Sequence, residues 1–184
     1  MAIKLDHIAI LTTSLERCVG QLPAGFRHHG IEEQPAEGTR EQYVSTQIEG
    51  GPALLFLEAV QPGPYQTALE KRGPGLHHLG CTTDSLDEAI ERFSGLGLLL
   101  HPVSLTTYPK GGVWLCRPSV PYLIELYATP GEIGDTDVEI LIDLPRGDAA
   151  SDCCYQHVPG VLVRSSDDGA VKVSIDGRHV SIRP

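Results

Sequence analysis

The sequence predicts an α+β protein made of two similar halves, followed by a β-rich segment. Two stretches that lie 71 positions apart, Asp6–Glu16 and His77–Asp87, share one pattern. In each, a His is followed by four mostly apolar residues and a Thr, and then by a Leu and an acidic residue. Short apolar runs separated by Gly- and Pro-containing turns follow each stretch, as is typical of strands. The last third of the chain contains only such runs.

Each repeated stretch predicts a strand followed by a helix. Ser14 and Ser85, or Asp84 in place of Ser85, are suitable N-caps, and acidic residues follow them in the first turn, where the helix dipole favours negative charge. The first helix is expected around residues 14–22. The second is expected over residues 85–95, because four apolar residues recur there at helical spacing: Leu86, Ala89, Ile90 and Phe93.

Further strands follow each predicted helix, so each half is interpreted as strand–helix–strand–strand–strand. The first half offers Gln42–Ile48 and Ala53–Val60, joined by the turn-forming residues Glu49–Pro52. The second half offers Leu98–Leu105, Val113–Arg117 and Tyr122–Tyr127.

The domain organisation follows from these elements. We expect a first βαβββ module over residues 1–60, a Pro- and Gly-rich linker over 61–75 with a short helix near Tyr65–Lys71, and a second module over 76–129. A β-rich extension, 130–184, completes the chain. Its predicted strands are Asp137–Leu144, Gly160–Val163, Val171–Ile175 and Arg178–Ile182, and its predicted hairpin turns are Asp167–Gly169 and Asp176–Gly177.

Composition and charge exclude several functional classes. The net charge is -10 and the isoelectric point is about 5.1, so binding to nucleic acid or to an anionic membrane surface is not expected. No apolar run is long enough to span a bilayer, and the N-terminal residues do not resemble a secretory signal. Five cysteines, an odd number without a Cys-x-x-Cys motif, favour a reduced cytoplasmic protein.

Two histidines and two acids recur in matching places. Because alternate side chains of a strand share a face, His7 lies beside Ala9 and His78 beside Gly80, and each small neighbour leaves room. Glu58 ends one apolar run and Glu125 lies inside another, 51 and 47 residues after the histidines. A lone carboxylate in an apolar strand is costly unless it is paired or binds a metal.

Together these residues predict a metal site with His7, Glu58, His78 and Glu125 as ligands. Imidazole and carboxylate groups suit one borderline divalent ion: Co, Zn, Ni or Mn, with Fe the less favoured choice.

Four segments resemble the methylmalonyl-CoA epimerases of the vicinal oxygen chelate superfamily over about residues 3–129. They are the opening strand Leu5–Ile10, the inter-module signature Leu69–Leu79, the strand end Glu58–Pro62 and the final strand Ile124–Leu126. The resemblance implies paired βαβββ modules that form a cup-shaped mixed sheet around one metal, held by the same four ligands. His77 would then be a neighbour of the ligands.

The resemblance also implies an activity, epimerisation of a small acyl thioester such as methylmalonyl-CoA through a metal-stabilised enolate. One carboxylate would remove the α-proton and a second would return it. The first base corresponds to Glu125. When Gly38 is aligned with the family glycine, the second base corresponds to Ala36, and Glu37 stands beside it. Either Glu37 takes this role, or the protein is not a two-base epimerase.

Three other functions compete with this interpretation. A glyoxalase-like lyase acting on a hemithioacetal would use the same type of ligand set. An Fe-dependent dioxygenase prefers two His and one carboxylate, so four protein ligands argue against it. A metal-free antibiotic-binding protein of the same superfamily would need no ligand set. The resemblance also allows a homodimer, because paired-module proteins often associate, and Lys71, Arg72 and Lys110 are candidate contacts for coenzyme A phosphates.

Overall fold

The computed structural model of the protein describes residues 1–130, 133, 138–145 and 154–184. The predicted α+β class is confirmed, since the described residues form an eight-stranded and a five-stranded mixed sheet with few helices. The larger sheet takes its strands from residues 3–128 and the smaller from residues 140–182. The exact boundaries of modules, linker and extension remain a prediction.

The first half of the chain supplies one side of the larger sheet. Its elements are β1 (Ile3–Thr12), α1 (Leu15–Val19), β2 (Arg27–Gln34), β3 (Thr39–Ser45) and β4 (Ala53–Ala59), and the linker helix is α2 (Pro64–Arg72). Ser14 caps α1 as predicted, because its hydroxyl accepts a hydrogen bond from the Arg17 amide. The helix ends at Val19, earlier than the sequence suggested.

The second half and the extension contain the remaining elements. The second half comprises β5 (Gly75–Thr83), α3 (Leu86–Gly95), β6 (Leu99–Leu100), α4 (Ser104–Thr107), a 3-10 turn (Tyr108–Lys110), β7 (Gly112–Cys116) and β8 (Leu123–Ala128). The extension comprises β9 (Ile140–Pro145), β10 (Cys154–Tyr155), β11 (Val161–Ser166), β12 (Val171–Ile175) and β13 (Arg178–Ile182).

The two halves meet at the centre of the larger sheet, whose strand order is β2-β3-β4-β1-β5-β8-β7-β6. The central strands β1 and β5 are antiparallel, and each pairs in parallel with the last strand of its own half. The repeat seen in the sequence therefore appears as an internal two-fold relation in the sheet. Equivalent residues of the two halves face the same side, which is named the cup and carries His7 and His78.

The main apolar core lies on the opposite side of the sheet from the cup. Ile8 and Ile10 pack there with residues of α1, α3 and the extension in one continuous cluster. Hydrogen bonds join the extension to this side of the protein, including those from the Arg178 guanidinium to the Thr46 carbonyl and from the Arg183 amide to Gln21. The described part of the extension thus supports the back of the sheet.

Two predicted strands differ from the structure. Leu98–Leu105 was expected to be one strand, but only Leu99–Leu100 pairs and Ser104–Thr107 is helical. Pro102 lacks the amide hydrogen that a continuing ladder needs, and both leucines of β6 are exposed. Asp137–Leu144 begins outside the described residues, and its described part overlaps β9.

The two predicted hairpin turns have different outcomes. Asp176–Gly177 is confirmed, because both residues have positive φ and join the antiparallel strands β12 and β13. The Asp167–Gly169 prediction was wrong: β9 lies between β11 and β12, so this turn does not join neighbouring strands. Among the described residues, no helix is long and apolar enough to cross a membrane.

Candidate metal centre

Three of the four predicted ligands meet in the cup. His7 Nε2 lies 3.0 Å from His78 Nε2 and 3.7 Å from Glu125 Oε2, and His78 Nε2 lies 3.6 Å from the same carboxylate oxygen. Within the described residues, these side chains form the one group of His, Cys, Asp and Glu with suitable metal-ligand spacing. Both histidines are buried, whereas the Glu125 side chain is 26% exposed.

Adjacent strands bring the three side chains together. His7 lies on β1 opposite Gly80 of β5, and His78 of β5 lies opposite Ala9 of β1. On the other edge of β5, Gly80 pairs with Glu125 of β8. The ligands therefore come from three neighbouring strands, where backbone pairing limits their movement.

Gly80 provides the space that the His7 ring occupies. A Cβ atom placed on Gly80 would overlap the Cε1, Nε2 and Nδ1 atoms of that ring. Here the absence of a side chain matters for steric reasons, because the backbone of Gly80 has no positive φ. Gly80, the small residue that shares a strand face with His78, is thus required to make room for the ring of His7.

Asp6 fixes the orientation of His7. An irregularity in the β1–β5 pairing lies between Leu5 and His7, and the intervening Asp6 turns its carboxylate towards the His7 ring. Asp6 Oδ2 lies 2.9 Å from His7 Nδ1 and accepts a hydrogen bond from the Tyr127 hydroxyl at 2.8 Å. A carboxylate can only accept, so the proton lies on Nδ1 and the Nε2 lone pair faces the cluster. The same hydrogen bond lowers the pKa of Asp6.

His77 contacts the ring of His78, as Asp6 contacts the ring of His7. The Nδ1 atoms of His77 and His78 are 2.9 Å apart. Burial lowers the pKa of His77 to about 3, so His77 is neutral and its Nδ1 can accept a hydrogen bond from the Nδ1–H group of His78. This arrangement leaves Nε2 of His78 free for a metal. Tyr65 and Trp114 contact the two rings, with Tyr65 4.8 Å from His77 and Trp114 4.9 Å from His78 between centroids.

The structure does not bring Glu58 to this cluster, so the predicted four-ligand set is corrected to three. In the parallel pairing of β1 and β4, His7 lies opposite Ala53 and Thr12 opposite Glu58, which places Glu58 on the other face of the sheet. There its carboxylate accepts a hydrogen bond from the Arg40 guanidinium at 2.9 Å. Arg40 provides the partner that a partly buried carboxylate needs.

The predicted second base, Glu37, lies at the rim of the cup. It is exposed in the turn between β2 and β3, and its carboxylate forms a hydrogen bond with the Tyr65 hydroxyl. Ala36, the position aligned with the family base, is exposed in the same turn.

A carboxylate that the sequence analysis missed, Glu41, faces the cup itself. In the β3–β4 pairing it lies opposite Leu57 and two residues from Tyr43, whose ring is 5.9 Å from that of His7. Burial raises the pKa of Glu41, although the Thr39 hydroxyl donates a hydrogen bond to it at 2.6 Å. The alternation of Thr39, Glu41 and Tyr43 along β3 was the signal available in the sequence.

The cup favours a cation. Burial, opposed by the His7 ring and assisted by the negative charges of Glu37, Asp6 and Glu41, raises the pKa of Glu125 to about 7. A divalent ion between the three ligand atoms would stabilise the ionised carboxylate.

The ligand-atom spacing fits such an ion. Two atoms that bind one metal at about 2.1 Å lie about 3.0 Å apart in octahedral geometry and about 3.4 Å apart in tetrahedral geometry. The observed separations of 3.0, 3.6 and 3.7 Å are close to this range. Two imidazoles and one carboxylate suit Zn, Co, Ni, Mn or Fe.

Comparison with solved structures shows where this fold occurs. A hypothetical protein, BH1468 from Bacillus halodurans C-125, is 23% identical over 73% of this chain and 100% of its own, with a TM-score of 0.53. Methylmalonyl-CoA epimerase from Mycobacterium tuberculosis is 20% identical over 70% of this chain and 89% of its own, with a TM-score of 0.52. A variant of the Streptomyces coelicolor methylmalonyl-CoA epimerase in complex with 2-nitronate-propionyl-CoA is 20% identical over 73% of this chain and 100% of its own, with a TM-score of 0.51.

Sequence comparison identifies the family. No curated protein matches the chain significantly. The profile of the glyoxalase/bleomycin resistance protein/dioxygenase superfamily matches residues 6–108, which is more than half of the chain and includes both histidines of the cluster. The chain belongs to the glyoxalase/bleomycin resistance protein/dioxygenase superfamily.

Proposed function

We propose that the protein is a metal-dependent epimerase or isomerase that moves a proton next to a carbonyl group of a small acyl thioester such as methylmalonyl-CoA. The observation that carries this proposal is the presence of a second carboxylate, Glu41, in the same cup as His7, His78 and Glu125. A divalent ion held by these three residues supplies a Lewis acid for the negative charge that develops on the substrate oxygen.

The two carboxylates can reach a substrate from different sides. Glu41 lies on β3 and Glu125 on β8, with the three strands β4, β1 and β5 between them. Epimerisation requires a base on one face of the reacting carbon and an acid on the other. Both pKa values are raised by burial, which brings the carboxyl groups closer to the range useful for proton transfer at neutral pH.

Aromatic side chains line the rest of the cup and can orient the acyl group. Burial raises the pKa of Tyr43 to about 12, so its hydroxyl remains a hydrogen-bond donor at neutral pH. Tyr127 is held by Asp6, and Trp114 lies against His78. These rings also reduce the access of water to the reacting carbon.

The coenzyme A part of such a substrate would lie outside the cup. The acids Asp6, Glu37, Glu41 and Glu125 make the cup strongly negative, which disfavours the phosphates. Arg72 donates a hydrogen bond to the Pro121 carbonyl and is therefore partly occupied by the fold. The thioester class is proposed by analogy with the similar fold of the epimerases.

The presence of Glu41 also weighs on the competing functions. A cup without a second carboxylate would favour a glyoxalase-like lyase over a two-base epimerase, and Glu41 supplies that carboxylate. A metal-free binding protein would have no need for the Asp6 and His77 contacts that orient the two histidines. A cytoplasmic location and a homodimer remain part of the proposal; size-exclusion chromatography with light scattering would test the dimer.

The test is deuterium exchange at the α-carbon of methylmalonyl-CoA, with cobalt-loaded protein in deuterated water. We expect metal-dependent exchange that is lost in Glu125→Gln. In Glu41→Gln we expect epimerisation to fall by about 10²-fold or more, while the metal content is unchanged. Glu37→Gln, which removes an equal charge at the rim, is the matched control for Glu41.

Two results would argue against the proposal. Absence of exchange despite one bound metal per chain would exclude the enolate reaction on this substrate. A large loss in Glu37→Gln together with full activity in Glu41→Gln would return the role of second base to Glu37.

A further inference from the structure

The second-half edge of the larger sheet carries most of the exposed large apolar side chains. Among the described residues, nine large apolar side chains are at least 40% exposed, and six of these fall within residues 96–108. They extend from the C-terminal end of α3 through β6 and α4 to the 3-10 turn. The six residues, named the edge patch, are Leu96, Leu99, Leu100, Val103, Leu105 and Tyr108.

The edge patch is large enough to be a protein contact. From their exposed fractions, the six residues present about 650 Å² of surface, whereas the largest apolar patch of a typical monomer is about 300–600 Å². A stable interface takes roughly 800 Å² from each partner, so the edge patch can supply most of one side. Leu105 is the most exposed of the six, at 84%.

The two edges of the larger sheet differ in their protection against another chain. The opposite edge strand, β2, is exposed along almost its whole length, but most of its side chains are charged or carry an imidazole, and Ile31 is its one exposed large apolar residue. Charged side chains on an edge strand discourage pairing with another protein. In β6, Leu99 lies opposite Cys116 and Leu100 opposite Leu115, so this edge is apolar on both faces of the sheet.

The charge around the edge patch differs from that of the rest of the chain. No Asp or Glu occurs over residues 96–124, although the net charge of the chain is -10. Lys110 and Arg117 lie in the same stretch, and the Arg117 guanidinium donates a hydrogen bond to the Leu96 carbonyl. At one end, Asp87 of α3 accepts a hydrogen bond from the tyrosine of the patch. Two copies of an acidic chain repel each other, and this repulsion is weakest where acids are few and cations are near.

The other described surfaces are less suited to a contact between two copies. The extension covers the back of the larger sheet in one continuous apolar core. The edge strands of the smaller sheet, β10 and β13, expose no large apolar side chain. The cup is strongly negative, so that two cups would repel each other.

We propose that the edge patch is the contact surface between two copies of this chain, related by a two-fold axis. The inference rests on the homodimer of the proposed function, but not on its metal or its reaction. In a two-fold contact the same patch lies on both sides, so apolar surface meets apolar surface and both patches leave water. Because the contact joins the sheets at their edges, both cups remain accessible.

The experiment measures the molar mass of the full-length protein by light scattering and its dissociation constant by sedimentation equilibrium. We expect a dimer for the wild type. Leu99→Glu and Leu105→Glu each place a charge in the contact and should weaken association at least about 100-fold. Both side chains are mostly exposed, so thermal unfolding should be close to that of the wild type. Ile31→Glu is the matched control, since it adds the same charge to an exposed apolar position on the opposite edge, and it should remain dimeric.

Hydrogen exchange locates the contact without any variant. The wild type is compared at concentrations above and below its dissociation constant. We expect the amides of residues 99–105 to exchange more slowly at the higher concentration, because the contact protects them, and the amides of β2 to be unchanged.

The outcomes separate this inference from the proposed reaction. A wild type that remains monomeric at about 100 µM would overturn the inference, while the deuterium assay on methylmalonyl-CoA would still test the reaction. A dimer that survives both leucine variants, or that protects amides only outside residues 96–108, would refute the location of the contact. A dimer sensitive to both leucine variants but inactive on methylmalonyl-CoA would support the contact and argue against the reaction.

Discussion

Replacement of Gly80 by alanine should disrupt the metal centre although it changes none of the three candidate ligand residues. The added Cβ would overlap three atoms of the His7 ring. The backbone of His7 cannot move away while the residues before and after it remain paired with β5. The cheapest relief is a rotation of the His7 side chain away from the cluster. That rotation would break the contacts with His78, Glu125 and Asp6.

The size of the effect follows from these contacts. Loss of one of three ligands and of its orienting carboxylate should weaken metal binding by at least about 100-fold. Overpacking of a strand interior should cost about 1–3 kcal/mol of unfolding free energy, which is small enough for the protein to remain folded.

The assay is isothermal titration of apo protein with Zn²⁺ or Co²⁺, with thermal unfolding measured on the same samples. Gly30→Ala is the matched control, since Gly30 also lies in a strand, β2, and a Cβ there would meet no atom within 4 Å. Binding by Gly80→Ala within threefold of the wild type would refute the steric argument and the position of His7.

Three further predictions follow from the contacts of the site. Asp6→Asn should weaken metal binding about 10–100-fold in calorimetry, because the His7 ring loses the carboxylate that orients it; an unchanged affinity would dismiss this role. Glu58→Gln should leave the metal stoichiometry and affinity unchanged and reduce only stability, since Glu58 pairs with Arg40 on the other face; loss of metal would reinstate it as a ligand. In the apo protein, Glu125 has a native pKa of about 7 against an ordinary value of 4.5, so the native state holds a proton that the unfolded state has lost. The contribution of Glu125 to the free energy of unfolding should therefore fall by up to about 3 kcal/mol as the pH rises from about 4.5 to 7. Urea titrations should show this decline in the wild type and its absence in Glu125→Gln or with bound metal, and identical pH profiles would contradict the pKa.

The sequence repeat predicted the centre of the site because it carried chemical and spatial information together. His7 and His78 occur at equivalent places beside small residues, and Glu125 is the one acid inside an otherwise apolar strand. Alternation revealed the correct face for each of them.

The same reasoning failed for Glu58 because β4 is buried on both faces. Leu54, Leu55, Phe56 and Leu57 are all apolar and buried, so the sequence gives no sign of which side chains face the cup. An error of one residue in register moves a side chain to the other face. Only the pairing of His7 with Ala53 reveals that Leu55 is the counterpart of Glu125.

Other features depended on tertiary context. Strand β2 is exposed along almost its whole length and has no apolar period, so its sequence resembles an acidic loop. Glu41 was missed because the predicted strand began at Gln42, whereas β3 begins at Thr39. Asp6 acquires its role from an irregularity in the β1–β5 pairing that no local pattern predicts.

The central claim is that His7, His78 and Glu125 hold one divalent metal ion. The most direct measurement is X-ray absorption spectroscopy on Zn²⁺-loaded protein, with metal content determined for the wild type, His78→Ala and Glu58→Gln. We expect one ion per chain, with two imidazole nitrogens and one protein carboxylate in its coordination shell, retained in Glu58→Gln and lost in His78→Ala. A wild-type protein without bound metal, or an ion that survives the loss of His78, would contradict it.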